Sequence, residues 1–127
     1  MPKSRVCFAS SVCCSEAFEL LPESARLLYY QLNFEADLIG EVVGARRISR
    51  GYGFADADLS ALLESGFLIE AKGRFFIRHQ FVHNKFVNEK QKTAAIAKLA
   101  ETPDSIGFEG EEFKSAYHLM DGVIGSR

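Results

Sequence analysis

Apolar positions recur at helical spacing in the first third of the chain. In "SEAFELLPESARLLYYQL" the spacing of three and four residues is typical of one helix face, which carries Phe18, Leu21, Ala25, Leu28 and Leu32. Pro22 suits the first turn of a helix, because the N–H that proline lacks has no partner there. We therefore predict a helix here whose apolar stripe packs on a core.

The next segment is divided by its glycines. Gly40 and Gly44 enclose "EVV", which predicts a short strand at Val42 and Val43. A brief helix is expected over residues 45–50, with Ile48 facing inward.

Another short helix is predicted in "FADADLSALLESG". Asp56 is the expected N-cap residue and Gly66 the expected stop, because aspartate caps helix N-termini and glycine readily ends helices. The predicted inward face consists of Leu59, Leu62 and Leu63.

The segment "FLIEAKGRFFIRHQF" predicts two strands joined by a turn at Lys72 and Gly73. Alternation along the second strand places Phe75 and Ile77 on one face, with Phe76 and Arg78 on the other. The order helix, strand, helix, helix, hairpin predicts an α+β winged helix (a winged helix-turn-helix) over residues 1–83, with the hairpin as the wing.

Residues 84–127 are predicted to form a helical extension followed by an acidic and apolar tail. "NKFVNEKQKTAAIAKLAET" is rich in helix formers, with Ile96 and Leu99 as a thin apolar face, and Pro103 is expected to end the helix. In the tail, "EEFKSAYHLMDG" predicts a further short helix with Phe113, Tyr117 and Met120 on one side.

Composition and charge limit the class of protein. Of the 127 residues, 47% are apolar and 25% charged, which is typical of one soluble globular domain. No apolar run approaches the roughly 18 residues of a membrane helix, so we expect a cytoplasmic protein with no membrane partner. Residues 44–98 hold ten basic and five acidic side chains, whereas the net charge of the chain is −2. If the partner is a polyanion, we therefore expect residues 44–98 to contact it.

The cysteines and histidines carry no convincing chemistry. Cys7, Cys13 and Cys14 are an odd set without a C-x-x-C motif, and we expect reduced, partly buried thiols. His79 and His83 are four residues apart, but no third ligand stands nearby in sequence, so we expect structural or surface histidines and no metal site. No triad motif or phosphate-binding loop is present. We expect neither an enzyme nor a cofactor.

The ordered segments resemble a known family. "FASSVCCSEAFELLPESARLLYYQL", "EADLIGEV", "GFADADLSALLESGFL" and "FFIRHQFVHNKFV" make residues 5–88 similar to the N-terminal winged-helix domain of phage and prophage replisome organisers, relatives of DnaD-type primosomal proteins. Relatives usually carry two adjacent acids where Asp37 is followed here by Leu38. The resemblance implies a non-catalytic module that binds DNA or assembles a replisome, with a helicase or its loader as partner.

The basic side chains suggest how DNA would be bound. The helix over residues 56–65 would read the major groove in an ordinary winged helix, yet it has no Lys or Arg and opens with Asp56 and Asp58. We therefore expect contacts mainly to the phosphates of double-stranded DNA, with weak sequence specificity. The predicted DNA-binding residues are Arg46, Arg47, Arg50, Tyr52, Lys72, Arg74, Arg78 and Lys85.

Other interpretations stay open at this point. The arginines also fit a solvated charged face, and the phenylalanines between basic residues 74–86 fit either a core or stacking platforms for single-stranded DNA. The acidic helix and apolar tail are typical of a protein-interaction or homo-oligomerisation module of a primosome. A dimeric transcription regulator is a third interpretation.

Overall fold

The structure is a computed structural model that describes residues 6–86, 88–102 and 106–108. The described residues form α+β architecture with a two-stranded antiparallel sheet. The helices are α1 (Ser10–Cys13), α2 (Glu16–Glu19), α3 (Glu23–Glu35), α4 (Ala45–Gly51), α5 (Asp56–Ser65), α6 (Gln80–His83) and α7 (Glu89–Leu99), and the strands are β1 (Leu68–Ala71) and β2 (Arg74–Ile77). None of these helices has the length and hydropathy needed to cross a bilayer.

The first apolar stripe is divided between two helices. Phe18 lies in α2, and α3 begins at Glu23 directly after Pro22, so the prediction of one helix is wrong. The break follows from Pro22, which lacks an N–H and disfavours helical geometry at the preceding Leu21. The core-facing role of the stripe is confirmed, because Ala25, Leu28 and Leu32 are fully buried.

The predicted strand at Val42 and Val43 is wrong. The pairing residue is Glu41, which forms a single antiparallel bridge with Phe76, while Val43 is 73% exposed. The Gly40 carbonyl accepts the Ile77 N–H and the Val42 N–H donates to the Phe75 carbonyl. Strand β2 therefore lies between β1 and the 40–42 segment.

The predicted helices over 45–50 and 56–65 are confirmed as α4 and α5. Ile48 is only partly buried, whereas Ala45 and Ser49 are the buried residues of α4. The N-cap of α5 is Ala55 rather than Asp56, and the α5 C-cap is Gly66, as predicted.

The hairpin turn is confirmed at Lys72 and Gly73, where φ is 52° and 76°. Two consecutive positive φ values match a type I′ turn, whose twist suits antiparallel strands. Strand β2 ends at Ile77, and the chain turns into α6, so the prediction that the strand continues through Arg78 is wrong. Gln80, the first residue of α6, packs closely against Gly40, where an added Cβ would lie 2.7 Å from the Gln80 Cβ.

The hairpin is buried on both faces, by two clusters. The first core packs on the face of Phe75 and Ile77, and it comprises Val12, Phe18, Leu28, Tyr29, Leu32, Ala36, Val42, Ala45, Leu59, Leu62, Phe67, Leu68, Phe75 and Ile77. The second core packs on the face of Phe76, and it comprises Ile39, Ala71, Phe76, Phe81, Ala95, Leu99 and Ile106. The described part of the C-terminal extension thus shares a core with the hairpin. Pro103 and the predicted tail helix lie outside the described residues.

Candidate nucleic-acid interface

A cleft separates the start of α4 from the hairpin. It has a volume of about 360 Å³ and is lined by residues 41–46 on one side and by Glu70, Gly73, Arg74 and Phe75 on the other. Two of the predicted DNA-binding residues, Arg46 and Arg74, therefore line one cleft although they lie far apart in sequence. The cleft also contains two carboxylates, Glu41 and Glu70, that the sequence did not indicate as site residues.

Arg46 projects from the first turn of α4 across the cleft. Its guanidinium carbon lies 5.4 Å from the centroid of the Phe75 ring, and its Nη2 lies 3.6 Å from the Glu70 carboxylate. The side chain is about half exposed, at 51%. Stacking on an aromatic ring orients the guanidinium plane while leaving donors accessible.

Arg74 is held more tightly at the opposite wall. Its Nε and Nη2 each donate to the Glu41 carboxylate at 2.9 Å, and its Nη1 donates to the Glu101 carbonyl at 3.1 Å. The guanidinium carbon lies 5.1 Å from the Phe76 ring centroid. The hydrogen bond with Glu41 raises the pKa of Arg74, so this cation is permanent. A phosphate would have to compete with a bidentate carboxylate.

Arg47 and Lys72 lie beside the cleft without ion pairs to described residues. The Arg47 guanidinium lies over Gly44, where a Cβ would be 3.0 Å from Nη2. Lys72 is exposed at the hairpin turn, next to the cleft-lining Gly73. These two cations are the ones best placed to meet an incoming anion.

Arg50 and Tyr52 lie at the opposite end of α4. The Arg50 Nε is 3.4 Å from the Asp56 carboxylate, and both side chains are largely exposed. The Tyr52 hydroxyl donates to the Glu35 carboxylate at 3.2 Å, and this hydrogen bond raises the pKa of Tyr52. Tyr52 is exposed, as the sequence predicted, but the contact with Glu35 turns its hydroxyl toward α3.

The structure does not bring Arg78 and Lys85 to the cleft. The Arg78 Nη1 lies beside Gly66 at the C-terminal end of α5, where a cation is favourable to the helix dipole. Lys85 is exposed and follows Asn84, whose side chain accepts the Cys7 N–H at 2.9 Å. Both predicted contacts therefore belong to other parts of the surface.

Helix α5 presents an acidic surface. Asp56 and Glu64 are exposed along with Ala57 and Ser60. Asp58 is buried, where its carboxylate accepts the Ala55 N–H at 3.2 Å and the Ser24 hydroxyl at 2.5 Å. Asp58 thus caps the N-terminus of α5, whereas Asp56, the predicted N-cap residue, pairs with Arg50.

Both ring nitrogens of His83 lie within hydrogen-bond distance of a partner. The buried His83 accepts the Ala9 N–H at Nδ1, at 2.9 Å, and its Nε2 lies 2.5 Å from the Tyr29 hydroxyl. Because Nδ1 is an acceptor, the neutral ring carries its proton on Nε2 and donates to Tyr29. Among the described residues, no group of three His, Cys, Asp or Glu side chains could hold a metal ion.

The cysteines are free, as predicted, but only Cys13 is partly buried, while Cys7 and Cys14 are exposed. Burial raises the pKa of the Cys13 thiol. The phenylalanines among the basic residues belong to the cores, because Phe75, Phe76 and Phe81 are all buried. Their edges and faces are therefore not available as stacking platforms.

Sequence reasoning missed a second exposed feature, which lies on α3. Leu27 and Phe34 are 54% and 51% exposed, and their spacing of seven residues places them on one helix face. The signal was present in the sequence, because these positions fall opposite the buried stripe of Ala25, Leu28 and Leu32.

No protein family, curated protein or solved structure matches this chain.

Proposed function

We propose that the chain is a winged-helix module that binds DNA mainly through the phosphate backbone. The order α3, bridge at Glu41, α4, α5 and hairpin supports this assignment. In that arrangement α4 and α5 form the helix-turn-helix, and Lys72 and Gly73 form the tip of the wing. The DNA would lie across the cleft between α4 and the wing.

The observation that carries the proposal is the convergence of cations at this cleft. Arg46 and Arg74 line it on aromatic rings, and Arg47 and Lys72 lie at its margins. Guanidinium groups held in fixed planes suit the oxygens of a phosphate, and an unpaired lysine adds a point charge.

Weak sequence specificity is the second part of the proposal. The exposed face of α5 offers Asp56, Ser60 and Glu64, and carboxylates are repelled by the negative potential of the groove. Double-stranded DNA of any sequence is therefore the expected ligand.

The resemblance to replisome organisers supports a role for the module in phage or prophage replication initiation, in the cytoplasm. A helicase or its loader is the protein partner in this proposal. No catalytic step is assigned to the chain.

The DNA proposal is tested by salt dependence. Fluorescence anisotropy with a labelled 20-base-pair duplex, and with the single strand of the same sequence, gives log Kd against log salt concentration. The double variant Arg47→Gln and Lys72→Gln should flatten the duplex slope by up to about 1.8, since each phosphate contact contributes about 0.9. Lys85→Gln with Lys90→Gln is the charge-matched control and should leave the slope unchanged. If the Lys85 and Lys90 control flattens the slope and the Arg47 and Lys72 variant does not, the proposed DNA-binding surface is wrong.

A variant that is expected to strengthen DNA binding provides a second test. Glu70 pairs with Arg46, so Glu70→Gln should release the guanidinium for a phosphate and strengthen binding, with a slope steeper by about 0.9. Weaker or unchanged binding would exclude Arg46 as a contact.

A protein-interaction or oligomerisation module is the second candidate function. It is favoured by the carboxylate partners of Arg46, Arg50 and Arg74, which neutralise three of the predicted contacts. The absence of duplex binding at low salt, together with a dimeric or larger mass by light scattering, would favour this candidate over DNA binding.

A further inference from the structure

Helix α3 is apolar on two sides. Its buried side packs against α4 and α5, whereas Leu27 and Phe34 occupy the side that faces away from them. Tyr30 lies between these two along the helix, and its ring centroid is 4.9 Å from that of Phe8. We name Phe8, Leu27, Tyr30 and Phe34 the α3 stripe. From Leu27 to Phe34 it extends about 10 Å along the axis, at 1.5 Å per residue.

Aromatic contacts and two backbone hydrogen bonds hold part of the α3 stripe in place. Phe8 also contacts Phe34, with ring centroids 6.0 Å apart. The backbone that carries Phe8 is fixed on both sides, because the Cys7 N–H donates to Asn84 and the Ala9 N–H donates to His83. An apolar surface that is pre-organised in this way binds without the entropic cost of ordering its own side chains.

The surroundings of the α3 stripe are acidic. Glu23 lies one turn before Leu27 on the same side of α3, and Glu16 and Glu19 are exposed on the preceding helix. None of these three glutamates forms an ion pair with a described residue. The basic side chain within residues 6–36 is Arg26, which lies close enough to Tyr30 to act on its hydroxyl. Glu35 accepts a hydrogen bond from Tyr52 beyond the end of α4, so Glu16, Glu19 and Glu23 are the acidic side chains offered to a ligand here.

We propose that the α3 stripe docks a basic amphipathic helix of a partner protein. Leucine or isoleucine side chains at i, i+3 or i+4, and i+7 would match the spacing of the stripe, and lysines or arginines beside them would meet the acidic surroundings. Two to three helical turns match the length of the stripe. This inference goes beyond DNA binding and does not depend on it, because the docked helix would lie on the side of α3 away from α4 and α5.

The test uses the full chain and a synthetic probe. The probe is a fluorescein-labelled 18-residue peptide of leucine and lysine with leucines at helical spacing, and its control has the same composition with the leucines dispersed. The ordered peptide should bind at least about tenfold more tightly than the dispersed one. Leu27→Glu with Phe34→Glu should weaken binding of the ordered peptide at least about tenfold, even though the protein gains two negative charges.

The matched control variant is Ala94→Glu with Ala97→Glu, which adds the same charge at two exposed positions on α7. It should keep peptide affinity within about twofold. The milder Leu27→Ser with Phe34→Ser must also weaken binding, and circular dichroism must show that each variant retains its helices.

Three results would overturn the inference. Unchanged binding in both stripe variants would show that the attraction is only electrostatic, and equal loss in the control variant would show that it is not local. A dimer by light scattering that the Leu27→Glu and Phe34→Glu variant converts to monomer would assign the stripe to a second copy of this chain. The duplex-DNA salt slope should stay the same in the stripe variants, so failure here is distinguishable from failure of the DNA proposal.

Discussion

The two cores that cover the hairpin differ in size and in the way polar groups hold them. The first core gathers fourteen buried residues from α1 to β2, and the second gathers seven, reaching from Ile39 to Ile106. Buried hydrogen bonds fix the first core, notably between Tyr29 and His83. The second core is bordered by partly exposed ion pairs of Arg74 with Glu41 and of Lys98 with Asp37.

This difference indicates which part of the protein supports each proposed surface. The α3 stripe and the α4 side of the cleft rest on the first core, so both surfaces depend on its integrity. The second core attaches α7 to the outer face of the hairpin. Loss of the second core should therefore be more local than loss of the first.

The largest effects should come from deleting leucine side chains in the two cores. Leu32→Ala in the first core should lower the free energy of unfolding by about 3–5 kcal/mol, since Leu32 is fully buried among large neighbours. Leu99→Ala should lower the free energy of unfolding by about 2–3 kcal/mol, because the smaller second core relaxes more readily around a cavity. Urea denaturation gives both values, and hydrogen exchange should show faster exchange confined to α7 in the second variant.

The control for these deletions is Leu20→Ala. Leu20 is 78% exposed, so the change should stay within about 0.5 kcal/mol. If Leu99→Ala accelerates exchange across α3 and α5 as strongly as in α7, the two cores unfold as one unit and the comparison fails.

The buried hydroxyl of Tyr29 predicts a pH dependence of the first core. Burial raises the pKa of Tyr29 above its ordinary value of 10.0. The folded state therefore favours the neutral phenol. Its contribution to stability is complete below pH 10 and is lost as pH rises above 10, by up to about 1.4 kcal/mol per pH unit.

Tyr29→Phe should remove this alkaline loss. At pH 7 the variant should be less stable by about 1–2 kcal/mol, because the His83 N–H loses its buried acceptor, and the gap should narrow above pH 10. Urea denaturation between pH 7 and 11 measures both effects. Tyr52→Phe, which alters an exposed tyrosine, should change the alkaline slope much less. If the difference in free energy of unfolding between Tyr29→Phe and the natural chain stays constant from pH 7 to 11, the alkaline loss of stability does not come from Tyr29.

Local signals in the sequence were sufficient for α4, α5 and the hairpin. Gly66 ends α5, and the Lys72 and Gly73 turn sets the register that pairs Ala71 with Arg74. These elements depend on neighbours a few residues apart, which periodicity and turn chemistry report directly. Alternation placed Phe75 and Phe76 on opposite faces of β2, but the burial of both faces becomes evident only in the structure.

The partners of the cleft arginines could not be predicted in this way. Glu41 and Arg74 are 33 residues apart, and only the packing of the 40–42 segment against β2 brings them together. Periodicity likewise identifies an apolar face without stating whether another element covers it, so the α3 stripe was overlooked. The tertiary arrangement therefore decides which cations are available to a ligand.

The smallest effect concerns the ion pair that attaches α7 to the loop between α3 and α4. Asp37 Oδ1 accepts the Ile39 and Glu41 N–H groups, at 3.0 and 2.9 Å, while Oδ2 lies 2.6 Å from the Lys98 Nζ. Lys98→Gln should cost about 0.2–1 kcal/mol, because the lysine side chain is half exposed and water replaces much of the attraction. Asp37→Asn keeps an oxygen acceptor for the loop and removes the charge, so it is the matched partner in a double-mutant cycle.

The cycle separates attachment of α7 from organisation of the loop. If Asp37 and Lys98 act on stability only through their ion pair, the double variant should be no less stable than the more destabilised of the two single variants, and hydrogen exchange should accelerate in α7 alone. Additive costs from the two substitutions would mean that Asp37 and Lys98 act independently. Apolar packing and the Arg74–Glu41 ion pair would then hold the second core without a measurable contribution from Asp37 and Lys98.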